Sequence, residues 1–210
     1  MKPDTADPTA IVLAAGKGAR YEGLKQLAKV KDKPLLQYVL DSIQKINWKF
    51  EPLLILGCCA DRILNQIDSK GFRTVKNDKW KDGMSASLKR GVEETPDTSS
   101  GFMFFLGDMP LVNSKVIEKV LKKAAEGASI VAPSFRGNRG FPVFLHRRWK
   151  DKLLDEVSGD KGAREIIKRN REDLTPVPTD DQGVVLDINR KSDLSRINSY
   201  LVEEGKEIGL

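Results

Sequence analysis

From Ala10 onward the chain alternates short, uninterrupted apolar runs with amphipathic segments of helical period: AIVLA, PLLQYVLDSIQKI, PLLILG, DRILNQIDSK, FRTVKN, MSASLKRGVEE, GFMFFLG, SKVIEKVLKKAAE and ASIVAP. A strand with no polar face must be covered on both sides, and helices between such strands supply the cover. The pattern predicts a doubly wound α/β domain, with a mostly parallel sheet and helices on both faces. After Pro133 the rhythm changes. SFRGNRGFPVFLH reads as a turn rich in Gly and Arg, followed by a strand that carries a proline and is therefore antiparallel or at an edge. Two helices flank the turn Ser158-Gly159-Asp160, LTPVPT and GVVLDI read as short strands, and KSDLSRINSYLVEE closes the chain as a helix. The C-terminal half thus adds a small antiparallel extension. Residues 1–9, with Pro3, Pro8 and two aspartates, read as a flexible leader, and 10–210 as a single domain.

The charge pattern narrows the partners. Lys and Arg outnumber Asp and Glu by 36 to 30 in 210 residues, but the signs are interspersed. A modest basic excess suits phosphate-bearing small molecules. There is no basic tail, and the aromatics are not interleaved with Lys and Arg as a single-strand stacking platform requires, so no nucleic-acid partner is expected. Cys58 and Cys59 are adjacent and can neither staple the fold nor form a C-x-x-C metal pair. They predict a reduced cytoplasmic protein, with both thiols buried and inert because no flanking cation lowers a thiol pKa. No apolar run approaches the ~20 residues of a membrane span, so no membrane partner is expected.

The segment AIVLAAGKGARYEGLKQL, Ala10 to Leu27, places a glycine-rich turn at the carboxyl end of the first strand, where this architecture binds ligands. Glycines let backbone N–H groups converge on phosphate oxygens while nearby cations neutralise charge. Two common phosphate loops fail on spacing. Gly16-Lys17-Gly18-Ala19-Arg20 is followed by Tyr21 where a dinucleotide fingerprint needs glycine, and Gly23 is followed by Leu24 where a P-loop needs lysine. What remains is a loop that brings Lys17, Arg20 and Lys25 toward one polyphosphate. Taken alone, the loop can also be a tight turn with solvated cations.

The same loop resembles the nucleotide signature of the MobA/MocA-like nucleotidyltransferases, roughly L-A-A/G-G-x-S-x-R-M-G-x-x-K-x-L: Leu13-Ala14-Ala15-Gly16 match, with Arg20 and Lys25 at the family's spacing. NDKWKDGMSASLKRG is similar to the family's N-x-x-W-x-x-G-M-S-x-S-L-x-x-G, and FLGDMPLV to its G-D-M-P. RGNRGFPVF, GDKGAR and LDINRKSDL resemble three further motifs in the same order, from about Ala10 to Leu201. The resemblance implies a Rossmann-like fold that binds a nucleoside triphosphate and Mg²⁺. The MocA type transfers CMP to molybdenum cofactor and the MobA type GMP, and the Leu-Ala-Ala-Gly form resembles the cytidylyl branch. CTP is the expected donor and molybdopterin the expected acceptor, with a molybdoenzyme or its chaperone as recipient. Transfer to a sugar phosphate or isoprenoid phosphate is the alternative within the fold; a non-catalytic nucleotide- or pterin-binding regulator or chaperone is the alternative of another class.

The resemblance also implies roles. Leu13, Ala14, Ala15, Gly16 and Gly18, with Gly83 and Ser87, would hold the nucleotide; Arg20 would hold the β- and γ-phosphate oxygens and Lys25 the α-phosphate. Asp108, at the end of GFMFFLG, and Asp187, in LDINRKSDL, would hold Mg²⁺; Asn189 stands where the family has a second aspartate. Arg139, Gly140, Lys161 and Arg164, with Arg136, would form the acceptor side, and Phe141 replaces the family's histidine there. Each of these cations has an alternative as solvated surface charge. Ser85 either contacts ligand or caps its helix. The lone His146 reads as a strand-end surface residue without triad or metal spacing.

Overall fold

A computed structural model describes residues 6–18, 21, 23–195 and 197. Arg20 and the C-terminal part of KSDLSRINSYLVEE lie outside the described residues. The first strand, β1 (Thr9–Leu13), is followed by the short hairpin β2 (Lys29–Val30) and β3 (Lys33–Pro34), then α1 (Leu35–Gln44), β4 (Leu53–Leu56), α2 (Ala60–Leu64), β5 (Arg73–Lys76), α3 (Met84–Glu93), β6 (Gly101–Leu106) and α4 (Ser114–Ala125). The C-terminal half adds β7 (Ile130–Phe135), β8 (Asn138–Arg139), β9 (Val143–His146), α5 (Lys150–Asp155), α6 (Arg164–Arg169) and β10 (Leu174–Pro178). The main sheet runs β10-β7-β9-β6-β1-β4-β5, with β8 paired to β7. β1 is parallel to β4 and β6, β4 to β5, and β7 to β10.

Two-sided burial follows from strand alternation. In β1, Ala10 and Val12 enter one core with Leu54, Leu56, Met103 and Phe105, which α1 and α4 cover through Leu36, Leu40, Ile117 and Val120. Ile11 points to the other face with Leu53, Ile55, Phe102 and Phe104, beneath α3, α5 and α6. A third cluster joins Tyr21, Tyr38, Leu111, Leu186 and Ile188 at the rim.

Two local expectations are revised and one is met. The first strand begins at Thr9, and the residues just before it are tied down: the Asp7 carbonyl accepts from Ser100 N–H and its carboxylate pairs with Lys49 at 2.9 Å. β9 takes the antiparallel one of its two expected placements and lies in the middle of the sheet, between β6 and β7. Pro142 precedes its first paired residue and so removes no ladder bond; the edge strand with prolines is β10. GVVLDI does not form a strand. Asp181 accepts from Gly183 N–H at 2.8 Å, an Asx turn that starts a 3₁₀ turn over Gln182–Val185.

Asn113 caps α4, accepting from Val116 N–H at 3.1 Å while its amide donates to Asp181. Asn113→Ala removes the cap and one partner of Asp181, and should cost about 1–2 kcal/mol in urea denaturation. Asn113→Ser retains a capping oxygen and should lose clearly less.

Candidate active site

The chain leaves β1 toward β4 on one side and returns from β5 to β6 on the other, so the connections diverge at β1, the position where open α/β sheets bind ligands. Ala14 N–H donates to Ile55 O at 3.0 Å, and Gly107 N–H to Leu13 O at 3.1 Å. Pairing therefore continues to the last turn of all three strands, and the Ala14–Gly18 loop and Asp108 emerge side by side.

The loop's carbonyls are turned into the protein. The Gln26 amide donates to Ala14 O at 2.9 Å and Gly16 O at 2.6 Å, and Cys58 N–H donates to Ala15 O at 3.1 Å. Among the described residues, the N–H groups of Ala15, Gly16, Lys17 and Gly18 make no hydrogen bond. A run of unpaired donors whose carbonyls are held back is an anion-binding concavity. Gly18 has φ +68, and a Cβ there would lie 2.7 Å from Gly23 O, so the turn requires glycine. A Cβ on Gly16 would meet no protein atom within 4 Å, so internal packing is not what requires glycine there.

Lys25 forms an ion pair with Asp108, with both side chains mostly buried. Ile188 N–H donates to Asp108 O at 3.0 Å, which ties the Asp187 segment to the Asp108 turn. Leu186 and Ile188, on either side of Asp187, are buried in the third cluster. Asn189 donates to Asp187 Oδ2 at 2.6 Å and so orients the carboxylate, while Asp193 accepts from the Asn189 and Arg190 N–H groups at 2.9 and 2.8 Å. Among the described residues no group of three or more His, Cys, Asp or Glu forms a metal cage. Asp108 and Asp187, on adjoining turns, are the carboxylates that could hold a divalent ion of the kind that takes one or two carboxylates and completes its shell with phosphate and water.

On the far side of the loop, Asn77 donates to Ser87 Oγ at 3.0 Å inside the protein, which fixes the start of α3 to the end of β5. Ser85 is buried, and its hydroxyl has no partner among the described residues. It does not cap α3. Met84 N–H instead meets Asp160 Oδ1 at 3.2 Å, a cap supplied 76 residues away. Gly83 has φ +97, and a Cβ there would lie 2.6 Å from the Gly159 carbonyl, so glycine lets the Gly159-Asp160 turn dock on α3.

The acceptor-side residues separate. Desolvation and the charges of Arg164 and Arg171 hold the Arg139 guanidinium below its usual range, so these three cations share one region; among the described residues none of them has an acidic partner. Gly140 is buried against Val184, whose carbonyl accepts from Phe141 N–H at 2.9 Å. Lys161 pairs with Glu165 at 3.7 Å, and Arg136 lies over the Phe135 ring at 5.1 Å, beside Thr179 and Asp180. His146 is exposed, with Nδ1 accepting from Arg148 N–H at 3.1 Å. The cysteines differ from expectation: Cys59 is exposed and Cys58 half-buried, because the chain turns outward once β4 ends, and Lys17 and Lys81 act on Cys58. Sequence reasoning did not single out Gln26, Asn77, Asp160 or Arg171. Asn77 opens a quoted motif and Asp160 lies within another, but Gln26 and Arg171 carried no local signal.

A mostly parallel sheet with helices on both faces and this constellation at its switch point define a nucleotidyltransferase of Rossmann-like fold. A family model for the MobA-like NTP transferase domain matches residues 10–174, and the chain belongs to that family. It is 26% identical over 200 residues to a probable molybdenum cofactor guanylyltransferase from Thermococcus sibiricus, covering 91% of this chain and 97% of that protein. The Rv0371c protein of Mycobacterium tuberculosis, solved in complex with manganese, is 22% identical with a TM-score of 0.78, over 92% of this chain and 98% of that one. The 4-diphosphocytidyl-2C-methyl-D-erythritol synthase of Anaerococcus prevotii shares the fold at 16% identity and a TM-score of 0.74, over 95% and 98% of the two chains. Among the described residues no helix is long and apolar enough to cross a membrane.

Gln26→Leu leaves the buried Ala14 carbonyl and the part-buried Gly16 carbonyl without this donor and should cost about 1–3 kcal/mol in denaturant titration. Gln26→Glu should be at least as damaging at neutral pH, because an ionised carboxylate cannot donate. Protonation restores a donor, so the defect should shrink as pH falls through the raised pKa of the introduced carboxyl.

Proposed function

We propose that the protein is a Mg²⁺-dependent nucleotidyltransferase that moves CMP from CTP to the phosphate of molybdopterin or molybdenum cofactor and releases pyrophosphate. The observation that carries the triphosphate site is the Ala14–Gly18 loop, where Gln26 and Cys58 hold the Ala14, Ala15 and Gly16 carbonyls inward and, among the described residues, the N–H groups of Ala15 to Gly18 have no partner, beside the Lys25–Asp108 pair. In nucleotidyl transfer an acceptor oxygen attacks the α-phosphorus in line with the departing pyrophosphate, so the protein's task is alignment and charge neutralisation.

Lys25 leaves Asp108 for the α-phosphate and offsets the charge that develops there, while the loop N–H groups orient the phosphate chain. Asp108 and Asp187 would hold a divalent ion, which would supply Lewis-acid neutralisation of the triphosphate. Arg20 takes the β and γ oxygens by its place in the motif. Gly83 and Ser87 set the floor against which base and ribose lie, and Asp160 joins that floor to the acceptor side. Arg139 and Arg164, with Gly140 at the bend between them and the sheet and Lys161 at the periphery, receive the acceptor phosphate; Arg171 joins them. The reaction takes place in the cytoplasm, and the product passes to a molybdoenzyme or its chaperone.

The Leu13-Ala14-Ala15-Gly16 form supports CTP, and the guanylyltransferase name of the Thermococcus relative makes GTP the competing donor. The fold shared with the 4-diphosphocytidyl-2C-methyl-D-erythritol synthase, and Phe141 in place of histidine, favour an isoprenoid or sugar phosphate as the second reading of the acceptor.

Pyrophosphate release measured with CTP, GTP, ATP and UTP, each with and without molybdenum cofactor, should show turnover only with CTP and the cofactor. Turnover with isoprenoid or sugar phosphates moves the acceptor to the second reading, and no release with any pair makes the protein a binding module. Asp108→Ala should lower kcat by about a hundredfold or more without changing the denaturation midpoint greatly. Unchanged turnover would remove Asp108 from the site.

A further inference from the structure

Cys58 and Cys59 follow β4 directly, and their sulfurs are 3.2 Å apart. In an extended chain adjacent side chains point to opposite faces. Here Cys59 takes left-handed backbone angles, φ 58 and ψ 34, which turn its side chain back to the side of Cys58. The separation is too short for two thiolates on tetrahedral zinc, which with bonds of ~2.3 Å stand about 3.8 Å apart. Cys59 is exposed and Cys58 half-buried, so one sulfur meets solvent and the other waits behind it. Cys58 N–H holds the carbonyl of Ala15, so the pair is joined by one hydrogen bond to the loop whose N–H groups face outward.

We propose that Cys58 and Cys59 are a reversible oxidation site, a vicinal dithiol that closes to a disulfide under peroxide and thereby disturbs the Ala14–Gly18 loop. The first step is at the exposed sulfur: Cys59–SH and H₂O₂ give Cys59–SOH and water. The Cys58 sulfur then attacks the sulfenic sulfur, the S–S bond forms, the S–O bond breaks, and a second water leaves with the Cys58 proton. Two thiols are oxidised and one peroxide reduced. Burial and the neighbouring Cys59 push the Cys58 thiol up, with Lys17 and Lys81 pulling it back, which makes Cys58 the poorer sulfur for the first attack on peroxide. Neighbouring Cα atoms stand about 3.8 Å apart, closer than an ordinary disulfide allows, so the ring is strained and readily reduced. Ring closure must change the backbone between the two residues, and the Cys58 N–H is in that backbone. The effect on nucleotide rests on the function proposed above; the oxidation and the loss of the Cys58–Ala15 hydrogen bond do not.

The test is to treat the reduced, full-length protein with hydrogen peroxide and follow intact mass, amide hydrogen exchange at Cys58 and CTP affinity together. The expected result is loss of the mass of two hydrogen atoms in the monomer, faster exchange at the Cys58 amide, an affinity drop of about fivefold, the order of one hydrogen bond, and full recovery with dithiothreitol. Cys59→Ser should retain amide protection and resist the two-hydrogen loss. An unchanged mass, a stable added oxygen or disulfide-linked dimers overturn the oxidation site. A disulfide that leaves the Cys58 amide protected overturns the coupling. Failure of the reduced protein to bind any nucleoside triphosphate sinks the proposed function, while the mass and exchange results still decide the dithiol.

Discussion

The parallel pairing of β1 with both β4 and β6 is the constraint from which the site follows. A strand covered on both faces can present polar backbone only at its ends. Because pairing runs to Leu13 and Ala14, the turns after β1, β4 and β6 start at one level. The glycine loop, the cysteine pair and Asp108 are therefore neighbours although they lie in three distant parts of the chain.

That neighbourhood is held by a few directed hydrogen bonds, with the third apolar cluster beneath the Asp187 segment. Gln26 and Cys58 draw the loop carbonyls inward, Asn77 locks Ser87, Asp160 caps α3, and Ile188 binds the Asp108 turn to the Asp187 segment. A buried carbonyl that loses its donor is costly, so each of these bonds fixes a turn more firmly than its small net free energy suggests. The charges are sorted in the same way. Arg73, Arg90 and Arg147 all have carboxylate partners, whereas Arg164 and Arg171 repel Arg139, which among the described residues has no ion-pair partner.

Much of this was legible in the sequence. The central strands β1, β4 and β6 were readable because two-sided burial leaves an unbroken apolar run, and α1 and α4 because their apolar residues recur at helical spacing. Proline left two placements open for β9, antiparallel or at an edge; the antiparallel one holds, and Pro142 stands one residue before the ladder. Asp181 turned GVVLDI away from a strand through a side-chain bond that apolar content does not report. The cysteines looked buried because the apolar run of β4 leads into them, yet the strand ends at Leu56 and the chain turns to the surface.

By itself, then, the sequence determined the layers of the fold, the loop that carries the glycines and the residue types available for phosphate chemistry, since these depend on local periodicity and backbone tolerance. Only the tertiary structure decided that Lys25 meets Asp108 across 83 positions, that Asp160 caps a helix 76 positions away and that Arg164 and Arg171 come close enough to act on Arg139. Contacts between distant segments are set by strand order and by how far each strand extends before it turns, and neither leaves a period in the chain.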